Sequence, residues 1–372
     1  MAHRLVARRR WHRRQDERAE QRVGCVGHGK AGVGETLHRG SLPAGDGPAI
    51  HPLHVTDRRG VSVGDYRAPL FLAWQLTNRC SCRCLHCCEE SGPDKAWSRE
   101  LSREEALLVA ADCAKTGIPY AAFGGGEPLA VPHVWEVFEV LSAGGTAIKI
   151  ETDGLRIGDL EADRIRGLSV ECVQVSVDGA SSATHEKVRP GGDFSAACAA
   201  IRRLAARGVP VEFVFAPCRV NAAELEQSYG LAADLGARAF ITGPLMRLGR
   251  AASSWDPLAL SPEEWARAAE RLAARASSLG APIRLSVYPW DIVAEASARL
   301  KSPQAMLLVV PDGRVKLLNA LPFVCADLRK QTLAEAWTAY QAAWKRPEVA
   351  EFVGRLAAEP RLLTHANETW PL

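Results

Sequence analysis

"LFLAWQLTNRCSCRCLHCCEE", residues 70–90, decides how this chain is read. It opens with a short apolar run of strand length, residues 70–76. It then places five cysteines, Cys80, Cys82, Cys84, Cys87 and Cys88, within nine positions. A strand that empties into so dense a cluster of thiols raises two questions: what repeats around it, and what do the sulfurs hold?

Working outward, the pattern is regular. Residues 102–117 read as a helix: Ser102 and Glu105 make a capping box, and Gly117 ends it. "YAAFGGGEP" (120–128) is a strand that runs into a glycine loop, and 131–145 is a helix with Pro132 in its first turn. "TAIKIETDG" (146–154) and "CVQVSVDG" (172–179) are strands closed by Asp-Gly, with a short helix over 158–166 between them. Helix 194–208, strand 209–217, helix 221–236 and strand 237–244 follow. Six strand–helix alternations predict a parallel sheet with right-handed crossovers, either an open doubly wound sheet or a partial barrel. The strands read as largely apolar runs, as in a sheet covered on both faces. In either architecture the chemistry sits at the C-terminal ends of the strands, where the cysteines, the glycines and both Asp-Gly pairs fall. Residues 245–260 read as a connector, 261–280 as a helix capped by Ser261 and Glu264, 282–288 as a strand, 306–318 as a β-hairpin around Pro-Asp-Gly, and 331–349 as one helix.

Cys80, Cys84 and Cys87 form C-x3-C-x2-C, and no other triple in the loop has that spacing, because position 91 is Ser91. Three thiolates on a tight loop suit three corners of a [4Fe–4S] cube and leave the fourth iron open. A Cys3His zinc site that uses His86 or another histidine is the competing reading of the loop alone. The "GGGEP" turn, residues 124–128, lets backbone approach a ligand closely, and Glu127 adds a charged acceptor beside it.

At these residues the chain resembles the radical SAM family. The motifs "LTNRCSCRCLHC", "GGGEP", "VSVDGA" and "LMRLGRA" stand in the family's order, and the likeness runs from about Pro69 to Ala251 with a family-like tail. The resemblance implies a partial (β/α)6 TIM-like barrel over residues 65–250 and a small C-terminal α+β extension over 251–372. It implies that Cys80, Cys84 and Cys87 bind a [4Fe–4S] cluster whose open iron takes S-adenosylmethionine (SAM). It puts Gly124, Gly125, Gly126 and Glu127 at the methionine amino group, Ser176 and Asp178 by the methionyl and ribose parts, and His86 near the adenine. The implied reaction is reductive cleavage to a 5′-deoxyadenosyl radical, which takes hydrogen from a peptide or from a natural-product or cofactor precursor. An external donor of the flavodoxin or ferredoxin type supplies the electron, and no acid–base triad is required. The alternative is a zinc- or Fe–S-bearing binding protein without SAM turnover.

The tail, "VVPDGRVKLL" and "CADLRKQTLAEAWTAY", looks like the SPASM or twitch extension. In that extension cysteines hold auxiliary clusters; here "LLNALPF" follows "DGRVK" and Cys325 stands alone, so an extension without metal is expected. Cys82 and Cys88 read as spare loop thiols. The substrate pocket is expected at the mouth of the sheet, lined largely by apolar residues from 213–217, 241–247 and the tail.

Bulk properties bound the rest. The chain has 372 residues, 47% hydrophobic and 24% charged, as in ordinary globular proteins. Residues 1–60 hold 12 of the 46 Lys and Arg but only 6 of the 43 Asp and Glu, so the remainder is mildly acidic and argues against a nucleic-acid surface. No apolar run is long enough for a membrane span. The Arg-rich segment 1–64 is expected to be disordered, with the true start near Val55 or Val61. Clustered rather than dispersed cysteines point to a reduced, cytoplasmic protein.

Overall fold

A computed structural model describes residues 63, 66–280, 283–289 and 291–372. The expected disordered segment 1–64 lies, apart from Val63, outside the described residues. The elements alternate from the first strand onward: β1 (Phe71–Thr77), α1 (Arg103–Thr116), β2 (Tyr120–Gly125), α2 (Val134–Ala143), β3 (Ala147–Thr152), α3 (Asp159–Arg166) and β4 (Val170–Ser176). Two helices, α4 (Ser182–Val188) and α5 (Phe194–Ala206), precede β5 (Val211–Phe215), and α6 (Leu225–Asp234) leads to β6 (Ala239–Thr242). The connector coils into α7 (Gly249–Ser253) and α8 (Trp255–Leu258), followed by α9 (Pro262–Ser278), β7 (Arg284–Val287) and α10 (Ile292–Lys301). The chain ends with β8 (Met306–Val309), β9 (Arg314–Lys316), β10 (Phe323–Asp327), α11 (Leu333–Ala343), α12 (Pro347–Leu356) and β11 (Trp370–Pro371).

One eleven-stranded sheet takes them in the order β11-β10-β9-β8-β1-β2-β3-β4-β5-β6-β7. From β1 to β7 spatial order follows chain order and every pairing is parallel. Crossovers that all advance the same way, each right-handed, put their helices on one face and bend the sheet around the other. Sequential order therefore selects the partial barrel over the doubly wound sheet, which would reverse direction.

Register shows how the two faces divide. Trp74, Phe123, Ile150, Val173 and Val211 form one row across β1 to β5. All five are buried to 1% exposure or less, under the helices. The next row on the concave face is Glu151, Gln174, Glu212, Ala239 and Arg284. The strands are thus not apolar on both sides: the concave face carries charge. Arg284 and Gln174 donate to the Glu212 carboxylate at 2.6 and 2.8 Å, and Lys149 pairs with Glu151 at 2.7 Å. Phe213 and Phe215, expected at the pocket, turn to the helical face and stack on Phe240.

The expected extension shares this sheet. β8 pairs in parallel with β1, Phe71 to Met306 through Trp74 to Val309. The hairpin β8–β9 is antiparallel, as its Pro-Asp-Gly turn implies. The helix read over 331–349 breaks in two, because Pro347 lacks the N–H to continue α11 and instead opens α12. Helix 131–145 begins later than expected: Pro128–Ala130 makes a 3-10 turn and His133 is the N-cap of α2. Among the described residues no helix is long and apolar enough to cross a membrane.

Candidate active site

The cysteine loop leaves the C-terminal end of β1 and is gripped by three other segments. Gly126 N donates to Thr77 O at 2.7 Å and Glu127 N to Arg79 O at 2.9 Å, which fastens the glycine turn beneath the start of the loop. A Cβ on Gly126 would lie 2.1 Å from the Arg79 carbonyl oxygen, so only glycine permits this approach. Gly125 adopts φ +93°, and its own Cβ would lie 2.8 Å from Thr77 O. A second grip comes from the last residue of α4 and those just after it, where Arg83 N donates to Pro190 O and Leu85 N to Val188 O, at 2.7 and 2.9 Å. The third is the "LGRA" turn: Arg250 donates to Cys84 O at 2.8 Å, to Ser91 O at 2.6 Å and, through its backbone, to Cys87 O at 3.0 Å. A Cβ on Gly249 would lie 2.3 Å from Cys88 O. The sequence flagged this motif only by resemblance; its physical part is to tie down the loop's carbonyls.

Inside the loop, the Cys82 thiol stands beside both Cys80 and Cys84 and lowers both thiols, Cys84 to about 5 with help from Arg189 and His86. Cys82 itself is pushed up, by those two neighbours first and then by burial. Burial and the charge of Cys84 push Cys87 up. The sulfurs of Cys80 and Cys82 and a carboxylate oxygen of Asp153 lie within 4.8 Å of one another. Asp153 also accepts from Ser81 Oγ at 3.2 Å. The Asp-Gly pair that closes β3 thus touches the loop directly, a role the sequence marked only faintly.

Other predicted residues serve the frame. Glu127 is 1% exposed and faces inward. Its carboxylate accepts from Leu129 N at 3.0 Å, Thr152 Oγ1 at 3.0 Å and Asp153 N at 2.9 Å. Burial and the nearby Asp153 raise its carboxyl well above the ordinary value. Asp178 is fully buried. It accepts from Arg189 Nε at 2.5 Å, from Ala216 N at 2.7 Å and from His86 Nε2 at 2.8 Å. Burial would raise its carboxyl, but Arg189 and His86 hold it well below the usual range. His86 is thereby anchored at the site rather than free to turn. Ser176 ends β4 half-buried on the concave face, in register with Val214. Gly124 pairs with Gln75 there, beneath Glu151.

The chemistry of this donor set fits an iron–sulfur cube. Three thiols share one loop, two are already drawn toward the thiolate that iron requires, and metal binding deprotonates the third outright. Beside the loop lies a cavity of about 340 Å³, walled by Gln75 near the end of β1 and Asn78 just after it, by Glu89, and by Lys316 and Asn367 from the C-terminal part. Lys316 is 3% exposed and burial lowers its ammonium to about 8. Asn367 donates to Cys88 O at 2.8 Å, so the last turn of the chain also reaches the loop. Cys325 lies on β10 with its thiol against Val315 O, at 3.5 Å.

Comparison with known proteins bears on the family and the fold. A family model described as "Radical SAM superfamily" matches residues 74–232. The mycofactocin maturase MftC of Mycobacterium ulcerans is 32% identical over 197 residues, 51% of each chain. The sporulation killing factor maturation protein SkfB of Bacillus subtilis is 30% identical over 220 residues, 59% of this chain and 52% of that one. The chain spans about half the length of the curated relatives it matches. Streptococcus suis SuiB, solved with S-adenosylmethionine, superposes with a TM-score of 0.64 at 9% identity, covering 82% of this chain and 77% of that one. That likeness is one of fold.

Proposed function

Because the chain belongs to the radical SAM superfamily through residues 74–232, we propose that it is a SAM-cleaving enzyme acting on a peptide. The observation that carries this reading is the cysteine loop itself, three thiols on one segment clamped against a glycine turn that only glycine can make. When bound, a [4Fe–4S] cluster and SAM supply, after one external electron, a carbon radical that removes a substrate hydrogen. Cys80, Cys84 and Cys87 would hold three irons of the cluster. The backbone of 124–126 and Ser176 would take up SAM, while Glu127 keeps the 152–154 turn in place and Asp178 fixes His86. Residues 65–250 form the catalytic part, and 251–372 complete the sheet and wall the cavity through Lys316 and Asn367. A peptide is favoured because SuiB is also solved with its precursor peptide SuiA and because MftC and SkfB are named as maturation proteins. The polar cavity, with amides and both signs of charge, suits peptide groups better than an apolar ligand.

The test is anaerobic reconstitution followed by iron analysis and an assay for 5′-deoxyadenosine. The expected outcome is about four irons per chain with SAM cleavage, and none in Cys84→Ala. Retained cleavage in that variant would discard the ligand assignment. The convergence of Cys80, Cys82 and Asp153 favours a second reading, a zinc site without turnover. Zinc as the bound metal, with no SAM cleavage, would replace the first reading by the second.

A further inference from the structure

Residues 188–191 run beside the cysteine loop as a strap. Leu85 N donates to Val188 O and Arg83 N to Pro190 O, so residue 84 lies opposite residue 189. The strap comes very close: Gly191 has φ +88° and a Cβ there would lie 2.6 Å from Ser81 O. Between the two backbone bonds, Arg189 Nη1 donates to Cys84 Sγ at 3.5 Å. The guanidinium is 11% exposed and its orientation is set on the far side, where Nε donates to the fully buried Asp178 at 2.5 Å. Asp178 is itself fixed by Ala216 N and His86. A planar fork held at one end and aimed at a sulfur at the other is a preorganised donor.

We propose that Arg189 is a positioning residue whose N–H bond to the Cys84 sulfur sets the reduction potential of the cluster. The inference rests on the reading that Cys84 is an iron ligand. Reduction adds negative charge to the cluster and its sulfurs, and a cationic donor stabilises that charge more than the oxidised state. A charge-assisted hydrogen bond is worth about 1.5 kcal/mol or more, a factor of about ten in equilibrium.

The test is a redox titration, followed by electron paramagnetic resonance, of anaerobically reconstituted full-length protein with Arg189→Met and Arg189→Lys. Arg189→Met should keep the iron content and circular dichroism of the parent. Its ratio of reduced to oxidised cluster at a fixed potential should fall about tenfold, a shift of about 59 mV for a one-electron couple. Arg189→Lys, which keeps charge but not the fork, should lie between. An unchanged potential overturns the proposal, and so does weakened SAM binding at an unchanged potential, which would make Arg189 a SAM contact. If Arg189→Met loses its cluster, Arg189→Lys decides: a folded Lys variant without iron means a structural role and overturns the proposal too. Parent protein that takes up no iron sinks the ligand reading instead, so the two failures are distinguishable.

Discussion

At the scale of single residues, the glycine turn makes a sharp contrast. A methyl group on Gly126 would collide with the Arg79 backbone carbonyl at 2.1 Å, which cannot swing away as a side-chain tip can. On Gly124 it would meet only the tip of the Glu151 side chain, at 2.7 Å. Gly126→Ala should therefore cost about 1–3 kcal/mol and displace the loop that starts at Cys80. Gly124→Ala should change the unfolding midpoint little, because Glu151 can swing away. Urea unfolding and iron uptake of the two variants check this, and equal behaviour would refute it. Glycine identity is legible in the sequence, but one of its causes is not: besides the room for a ligand that the sequence suggests, Gly125 and Gly126 make room for the loop itself. Asp178 and Glu127 show the same limit. A sequence marks a carboxylate as polar and well placed, but not which way it points, and both point into the frame. His185 was not marked at all. It is 1% exposed, its Nδ1 accepts from Asp178 N at 3.1 Å, and burial with Arg189 nearby lowers it to about 4. An unfolded histidine titrates near 6.5. The stability this difference gives is thus fully present above about pH 6.5 and is lost as pH falls toward 4, up to about 3 kcal/mol. His185→Gln should flatten the fall in urea midpoint between pH 7 and about 4.5 relative to the parent; an unaltered slope would show that other groups govern it.

At the scale of elements, start signals were legible because they are chemical and local. Ser102, Ser261 and Thr332 each accept from the backbone of a glutamate three residues on, and that glutamate bonds back, in full capping boxes. Ser261→Ala should destabilise by about 1 kcal/mol, read as a lower urea midpoint with α9 otherwise intact; no change would mean that this end is held by its packing. Stops were less legible. The run through Trp344 is periodic enough to read as one helix, and only Pro347 shows that a second begins. Helix α4, seven residues long, gives too few turns for a period to show, and α10 lies in a stretch between strand and hairpin that the sequence reading does not assign. Strand faces were misread for a different reason. β3, β4 and β5 look apolar when counted, but Glu151, Gln174 and Glu212 occur at alternate positions and form one polar row only once register aligns them.

At the scale of the whole molecule, the alternation of strand and helix predicted the parallel sheet, and the resemblance chose the barrel. What neither foresaw is how the C-terminal part joins it. β1 is an interior strand: Leu72 and Trp74 pair with Ala121 and Phe123 on one side and with Leu307 and Val309 on the other. Trp337, from α11, donates its indole N–H to Tyr66 O at 2.9 Å, and Arg329 binds Glu105 at the start of α1 at 2.7 Å. Residues 251–372 therefore cover the strand from which the cysteine loop emerges. A chain ending at residue 305 would leave β1 as an apolar edge with unpaired backbone, which invites aggregation. The prediction is that this fragment shows no cooperative urea transition, whereas the full chain does, and that it binds no iron even with every loop cysteine present. A fragment that unfolds cooperatively and takes up iron like the parent would show instead that the extension is a separable appendix. The loop's geometry would then be set by residues 65–250 alone, and the contacts of Asn367 with Cys88 and Glu90 would be incidental to it.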